Sequence, residues 1–414
     1  MEVISDPLEV GTAWTGFVNS PADNSTITAT LRRSANHIEL IVPKQDTLRN
    51  LRQHFEDGAA QKSRQQVFFE SHEGRAILVG LRPVPAPVLV HPHGFNAADR
   101  YLVTWAVFGA DPNRDFTRIT GLRTSIAQGE HFFQQRTVHQ TQPRGLAFDP
   151  PHAEQVASSV SLTVRSHIMF GGDGRHLIED RLTYETVAEY PDGADWDGLI
   201  EPSAALSDII QTSLWRPAPI TRRWVLPAHE DLPAAEEGWC FVSTAMEFLD
   251  DDAPPPLPAF TYSEIGRRGL DQWLEMHSEL SLFRRALLPL SRLPLLTNTF
   301  IDGQINQLGI GLEALGYAIG KESGKPKGDY QYYSQRIRLI VDQVDPDGHI
   351  FLPDSNQFLA NTYNGVKHAD RPLPEISSVE EALKVGSALY RLWVMRRLGA
   401  SEQSVHDAAI HMML

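Results

Sequence analysis

The sequence predicts a two-domain α+β protein, with an N-terminal antiparallel β-sandwich-like domain and a C-terminal bundle made only of helices. Three observations support this fold class. Residues 1–249 contain many short segments rich in Val, Ile, Thr and Phe, each bounded by turn residues, as is typical of strands. Residues 250–260 are acidic and rich in proline, which favours an extended linker. In residues 261–414 apolar side chains recur in steps of three and four, which is typical of helices.

The strand segments of the first domain follow one another with few helices between them, which favours an antiparallel sandwich or a barrel-like sheet. Gly171-Gly172-Asp173-Gly174 predicts a hairpin turn. Residues 202–214 are the exception among these strands, because their apolar side chains recur at helical spacing and predict a helix. The predicted strands are 25–31, 37–43, 66–71, 76–81, 101–108, 158–170, 176–187, 220–226 and 238–248.

The domain boundary is predicted at the run of three aspartates that starts at Asp250. Adjacent carboxylates resist burial, and the prolines that follow remove backbone donors and favour an extended chain. The resulting domains are 1–249 and 261–414, joined by the linker 250–260.

Helical periodicity predicts a small bundle in the second domain. Ser263 is the predicted N-cap of its first helix, with Glu264 in the first turn. The predicted helices are 263–283, one that follows Thr299 and is ended by Gly324 and Pro326, 330–344, 356–367 and 378–399.

Composition limits the classes of function. Cys240 is the only cysteine, which excludes an internal disulfide and a site built from several thiolates. The net charge of −15 is concentrated in residues 1–260, which should repel phosphate backbones, while residues 261–414 are nearly neutral. Glu2 and Asp6 stand where a signal peptide would be basic, and no long apolar run is present. We therefore expect a cytoplasmic protein without a membrane partner, and any nucleic acid would bind the second domain.

The most polar segment of the helical domain is 361–371, just before the last predicted helix. Asn364, Lys367, His368 and Arg371 could together hold a phosphate and offer an imidazole that titrates near neutral pH. The alternative is an exposed polar loop between helices.

Glu313 interrupts the apolar face of the second helix of the bundle. Buried acids are rare unless they are paired. This carboxylate is therefore either a group that orients His368 or the partner of Arg336.

Other candidate sites are weaker. His91-Pro92-His93 has no third ligand nearby, so an ordinary loop is the favoured interpretation and no metal is predicted. No nucleophilic triad and no phosphate-binding loop is recognised, and no cofactor is expected. The tryptophans of the first domain are interpreted mainly as core residues.

Several short motifs in order carry a resemblance to a known family. They are Leu312-Glu313-Ala314-Leu315, Arg336, Tyr363-Asn364…Lys367-His368, Leu389-Tyr390-Arg391-Leu392-Trp393…Leu398-Gly399 and, in the first domain, Ile119-Thr120-Gly121-Leu122-Arg123 with 209–225. The second domain resembles the HEPN superfamily, specifically its ApeA-like branch, and the first domain resembles the ApeA N-terminal domain.

The resemblance implies a metal-independent endoribonuclease that acts in anti-phage defence by abortive infection. RNA, with tRNA as one candidate, would be the substrate. The helical domain would form a homodimer, and the N-terminal domain would sense a phage-derived trigger or restrain the nuclease.

In that family an arginine, often followed by asparagine, and a histidine four to six residues later form the site. His368 matches the histidine and Asn364 matches the asparagine, but Tyr363 stands where the arginine is expected. Lys367, Arg371 or Arg336 could supply the missing positive charge. The predicted catalytic residues are His368, Asn364 and Lys367, and the predicted supporting or phosphate-binding residues are Tyr363, Arg371, Arg336 and Glu313.

Two other functions remain open at this point. The chain could be a non-catalytic HEPN dimerisation or interaction protein with a ligand-binding sandwich, which the absence of the arginine favours. It could also be a carbohydrate- or protein-binding sandwich carried on a helical dimerisation unit.

Overall fold

The computed structural model describes most of the chain, and it forms two compact units. One unit comprises residues 1–125, 187–200 and 221–250, and the other comprises 126–186, 201–220 and 251–414. The described residues are 7–19, 26–35, 37–43, 66–84, 98–110, 114, 116–134, 138–141, 145–148, 153–158, 160–170, 178–196, 198–228, 238–244, 257–296 and 299–413.

The described strands are β1 Ala13–Asn19, β2 Thr26–Arg33, β3 Ile38–Pro43, β4 Gln66–Ser71, β5 Arg75–Val79, β6 Arg82–Val84, β7 Ala98–Val103, β8 Trp105–Phe108, β9 Ile119–Ile126, β10 Val138–Thr141, β11 Gly145–Phe148, β12 Ala153–Ala157, β13 Val160–Phe170, β14 Ile178–Ala194, β15 Ile220–Pro227 and β16 Cys240–Ser243. Every pairing with a described register is antiparallel, and β10 and β11 form a separate two-stranded sheet. In the first unit the strand order of the large sheet is β9-β15-β16-β8-β5-β4-β1-β2-β3-β7-β6.

The central strands of the first unit are covered on both faces. Along β5, Ala76 and Leu78 belong to one core cluster, while Ile77 and Val79 belong to a second. Because successive side chains of a strand point to opposite faces, these clusters lie on the two sides of the sheet. The prediction of antiparallel strands in the N-terminal domain is therefore confirmed, and these strands form one continuous sheet with two cores; the sandwich-like arrangement stays a prediction.

The second unit contains most of the helices. Helix α8 is its central element, with nearly continuous burial between Val385 and Met395. The helices are α1 Gly129–Phe133, α2 Ile200–Leu214, α3 Tyr262–His277, α4 Arg284–Ser291, α5 Ile301–Glu322, α6 Tyr333–Val344, α7 Ser355–Lys367, α8 Ile376–Arg397 and α9 Glu402–Met413, and two short 3₁₀ helices cover Leu293–Leu296 and Lys327–Tyr330.

The prediction of a single helix over residues 263–283 is wrong. Helix α3 ends at His277, because Ser278 adopts an extended conformation, and α4 begins at Arg284. The N-cap is Thr261 rather than Ser263, and the Glu264 carboxylate accepts the Thr261 backbone N–H at 2.8 Å. Helix α9 was not predicted.

The bounds of the two units differ from the predicted domain boundary at the linker 250–260. Residues 126–186 and 201–220 pack with the C-terminal helices rather than with the first unit. Phe260, at the end of the predicted linker, is fully buried, and its carbonyl accepts a hydrogen bond from the Ser213 hydroxyl of α2. The end of the linker is therefore part of the helical core.

Some predictions fall outside the described residues. These are the Gly171–Gly174 turn, the His91-Pro92-His93 pair and the aspartate run at Asp250. Among the helices that are described, none combines the length and the apolarity needed to cross a bilayer.

Candidate functional site

The candidate site lies at the C-terminal end of α7, within the helical unit. Leu359 and Tyr363 are both buried and lie four residues apart, so they share the face of α7 that packs into the core. The helix ends at His368, whose backbone N–H donates to the Asn364 carbonyl at 3.0 Å and whose own conformation is extended. The chain then turns, and the Arg371 N–H donates to the His368 carbonyl at 3.0 Å.

Tyr363 is a core residue, with only 2% of its surface exposed. Its ring lies directly against Gly309 of α5, so that a Cβ at that position would overlap it. The Tyr333 ring of α6 lies 4.7 Å away between ring centroids. The side chain at the position where the HEPN resemblance leads one to expect an arginine therefore faces the packed interior of the bundle.

Lys367 extends over the Tyr363 ring, with its Nζ 5.0 Å from the ring centroid. This distance is within the range of a cation–π interaction. The lysine itself is exposed. It therefore covers the buried tyrosine and keeps its positive charge at the surface close to the end of α7.

Glu313 and Arg336 form an ion pair between α5 and α6, with 2.7 Å between Oε1 and the nearest guanidinium nitrogen. Arg336 also donates its Nε–H to the Tyr330 carbonyl at 2.8 Å. This geometry corresponds to the second interpretation of Glu313, as the partner of Arg336. The pair joins two helices, and the Arg336 charge is already matched.

The environment of Tyr333 keeps its hydroxyl protonated. Burial raises the pKa of Tyr333 well above its ordinary value, and the nearby Tyr363 phenol and Glu313 carboxylate raise it further. Tyr333 therefore remains a neutral donor across the physiological pH range.

His368 lies at the surface with two cations near it in the chain. His368, Lys367 and Arg371 are all exposed, and Asn364 is half-buried. Within the described part of the chain, the His368 imidazole has no side-chain hydrogen bond or ion pair. Both of its ring nitrogens are therefore accessible to a ligand.

The structure thus divides the predicted residues into two groups. Tyr363 is buried against α5 and α6, and Glu313 and Arg336 form a partly exposed ion pair between those two helices, whereas His368 and Arg371 occupy the exposed turn that follows α7. Lys367 contacts the Tyr363 ring and lies at the start of the exposed turn. The fully exposed predicted residues are therefore those of the turn.

A second titratable cluster, which the sequence did not indicate, is buried between α2, α3 and α4. Asp208 Oδ2 lies 3.8 Å from His277 Nδ1, and Asp208 Oδ1 lies 3.6 Å from Arg292 Nε. Burial raises the pKa of Asp208 to about 6 and lowers the pKa of His277 to about 3. Asp208 is about seventy residues from His277 and more from Arg292 in the chain, so no sequence spacing could reveal the cluster.

Replacing Asp208 with asparagine should change the pH dependence of stability. A carboxyl group whose pKa is raised on folding stabilises the folded state at low pH, and this contribution disappears as the pH rises through about 6. From pH 4 to pH 8 the parent should lose about 2.5 kcal/mol of unfolding free energy relative to Asp208→Asn, given about 1.4 kcal/mol for each pKa unit. His277 is present in both proteins, so its own titration largely cancels.

Urea unfolding of both proteins between pH 4 and pH 8 measures this difference. The matched control is Asp342→Asn, since Asp342 is exposed in an ion pair with Arg338 on α6. Its profile should run parallel to that of the parent. Parallel profiles for Asp208→Asn and the parent would contradict the assignment of a buried, raised pKa.

Among the described residues, no group of three or more His, Cys, Asp and Glu side chains is arranged to hold a metal ion. Comparison with protein-family models, with curated proteins and with solved structures gave no match. The functional assignment therefore depends on the residues of this chain and on the resemblance of its motifs.

Proposed function

We propose that this protein is a HEPN-type, metal-independent endoribonuclease of the ApeA-like branch that acts in the cytoplasm in anti-phage defence, by abortive infection. The observation that carries the proposal is the exposed His368 imidazole at the end of α7, next to the exposed cations Lys367 and Arg371. Their position in a helical unit, together with the motif resemblance, favours RNA as the substrate over other phosphodiesters.

His368 would accept the proton of the ribose 2′-hydroxyl, and the resulting oxyanion would attack the adjacent phosphorus. The bond to the 5′-oxygen of the next nucleotide then breaks, leaving a 2′,3′-cyclic phosphate and a 5′-hydroxyl group, whose proton comes from the His368 imidazolium or from water. A well-placed general base contributes on the order of 10²–10⁴ in rate. Lys367 and Arg371 would stabilise the charge that develops on the phosphorane oxygens.

A homodimer through the helical unit would complete such a site. Leu373 and Ile376, which follow the His368 turn, have 75% and 69% of their surface exposed. Exposed apolar side chains beside a polar site favour burial against a second copy, and a two-fold axis would bring the two His368 turns together. Each copy would then add its own cations to the opposite site.

The N-terminal unit would serve as the sensor of a phage-derived trigger. Residues 1–260 carry most of the net charge of −15, whereas the segment 261–414, which holds the His368 turn, is nearly neutral. Because like charges repel at long range, the substrate would bind the helices of 261–414, and the trigger would bind the sheet.

The burial of Tyr363 favours a second candidate, a non-catalytic HEPN dimerisation protein with a ligand-binding N-terminal unit. The position of the family arginine offers no charge at the surface, because a buried phenol occupies it. On this alternative the His368 turn would be a dimer contact only, and the protein would cleave no RNA.

The proposal is tested by incubating the full-length protein with tRNA and total RNA in excess EDTA, with and without phage lysate as a source of trigger. We expect cleavage to persist in EDTA and the products to carry 2′,3′-cyclic phosphates, since no step requires a metal ion. Absence of cleavage in every mixture would favour the second candidate. Cleavage that appears only when Mg²⁺ is added would contradict the mechanism.

A further inference from the structure

A cleft of about 970 Å³ lies within the helical unit, away from the His368 turn. The end of α2, one side of α8 and the inner side of α9 form its walls. Its volume is in the range of pockets that enclose small organic ligands. Its lining combines apolar side chains such as Leu214 and Ala388 with polar ones such as Ser387 and Lys384.

Arg391 of α8 lies at the base of this cleft and is 9% exposed. Its Nε–H donates to the Thr212 carbonyl at 3.0 Å, and one terminal nitrogen donates to the Ser213 carbonyl at 2.6 Å. Each side-chain nitrogen of Arg391 either makes a hydrogen bond or is reached by solvent. A guanidinium has five N–H groups, so those not directed at α2 face the cleft.

The charge of Arg391 has no carboxylate partner among the described residues, and burial lowers the pKa of its guanidinium to about 10. A buried charge that lacks an opposite charge is costly. Two acids line the same cleft: Glu264 accepts the Thr261 N–H at 2.8 Å at the N-cap of α3, and Asp407 accepts the Gln403 side-chain amide at 2.8 Å. An anion that enters the cleft would therefore find an unneutralised arginine.

Trp215 supplies a flat surface beside this charge. Its ring centroid lies 5.5 Å from Cζ of Arg391 and 6.4 Å from the Tyr390 ring. Its backbone has a φ of +55°, a conformation that bulky side chains rarely adopt. The residue is half-buried and lines the cleft, so part of the indole is available for stacking.

We propose that this cleft binds a small organic anion that carries a planar ring, with the carboxylate or phosphate of the ligand on Arg391 and its ring against Trp215. Planar guanidinium groups suit both kinds of anion, because their paired N–H groups match two acceptor oxygens. The proposal does not depend on RNA cleavage, since none of these residues belongs to the His368 turn.

The test is isothermal titration of the full-length protein at low salt with two anionic probes, AMP and indole-3-acetate, and with their uncharged counterparts, adenosine and indole-3-acetamide. We expect saturable binding of at least one anion, at least about tenfold tighter than its uncharged counterpart. Binding of AMP alone identifies a phosphate ligand, and binding of indole-3-acetate alone identifies a carboxylate ligand. If neither anion binds, or if the uncharged probes bind equally well, the proposal is overturned.

Variants separate this cleft from other surfaces. Trp215→Asn removes the indole and keeps a residue type that tolerates positive φ, and it should weaken binding at least about tenfold. Arg391→Gln should also weaken binding, but it removes the hydrogen bonds to the Thr212 and Ser213 carbonyls of α2. If Arg391→Gln does not fold, Trp215→Asn decides the outcome. Phe300→Asn is the matched control, since Phe300 is 90% exposed outside the cleft. Unchanged binding by Trp215→Asn would overturn the proposal.

Discussion

Replacing His368 with alanine is expected to slow RNA cleavage by at least about a hundredfold, the lower end of the contribution of a general base. The imidazole of His368 has a ring nitrogen that can accept a proton. Lysine and arginine side chains have hydrogen-bond donors only, so Lys367 and Arg371 are suited to stabilising negative charge rather than to accepting the 2′-hydroxyl proton. The measurement is the single-turnover rate of cleavage of a labelled RNA at saturating enzyme.

The His368 variant should retain the unfolding free energy of the parent, because the side chain is exposed and makes no described contact. His406→Ala is the matched control: this histidine is also exposed, on α9, and its removal should leave the rate unchanged. Cleavage by His368→Ala at the parental rate would exclude the imidazole as the base.

Placing the family arginine at position 363 is expected to destabilise the protein by at least about 3 kcal/mol and to produce no gain in cleavage. The Tyr363 ring is almost completely buried against Gly309 and Tyr333. Truncation of a large buried ring alone costs about 3–5 kcal/mol, and Tyr363→Arg would add an unpaired charge to the same space. The measurement is urea unfolding of the full-length protein, followed by circular dichroism.

Tyr332→Arg provides the comparison, since Tyr332 is 63% exposed and an arginine there remains in water. We expect less than about 1 kcal/mol of change for this variant. A Tyr363→Arg protein that is as stable as the parent and cleaves RNA faster would show that position 363 is open to substrate. That result would contradict the packing described above.

The helices of the second unit could largely be predicted because their apolar periodicity is strong. The helix predicted at 356–367 is α7, Ser355–Lys367, and its end at the polar segment places His368 and Arg371 in a turn, as the sequence suggested. The sequence does not predict the break between α3 and α4, because apolar residues continue through the connection. The helix nevertheless ends at His277, since Ser278 is extended.

The role of Tyr363 could have been anticipated from the helix itself. Leu359 and Tyr363 are four residues apart, which places them on one face, and Gly309 on α5 leaves room for a large ring. The motif resemblance predicts a site position at residue 363, where an arginine is missing. Helical periodicity instead predicts a core position on the buried face of α7, and the structure agrees with the periodicity.

The discontinuous make-up of the two units could not be predicted from the sequence. The segments 126–186 and 201–220 precede the linker but pack with the C-terminal helices. Contacts such as those of Asp208 with His277 and Arg292, and of Arg391 with Thr212, join residues that are far apart in the chain. Composition and periodicity describe neighbours along the chain and contain no information on such pairings.

The central claim is that the helical unit cleaves RNA through attack by the ribose 2′-hydroxyl group, with His368 as the base. It is tested most directly with two oligonucleotides that differ only at the mapped cleavage position, one with ribose and one with 2′-deoxyribose at the nucleotide 5′ to the cut. The account predicts cleavage of the ribose substrate in EDTA and no cleavage of the deoxyribose substrate at that bond. Equal cleavage of both substrates would contradict it.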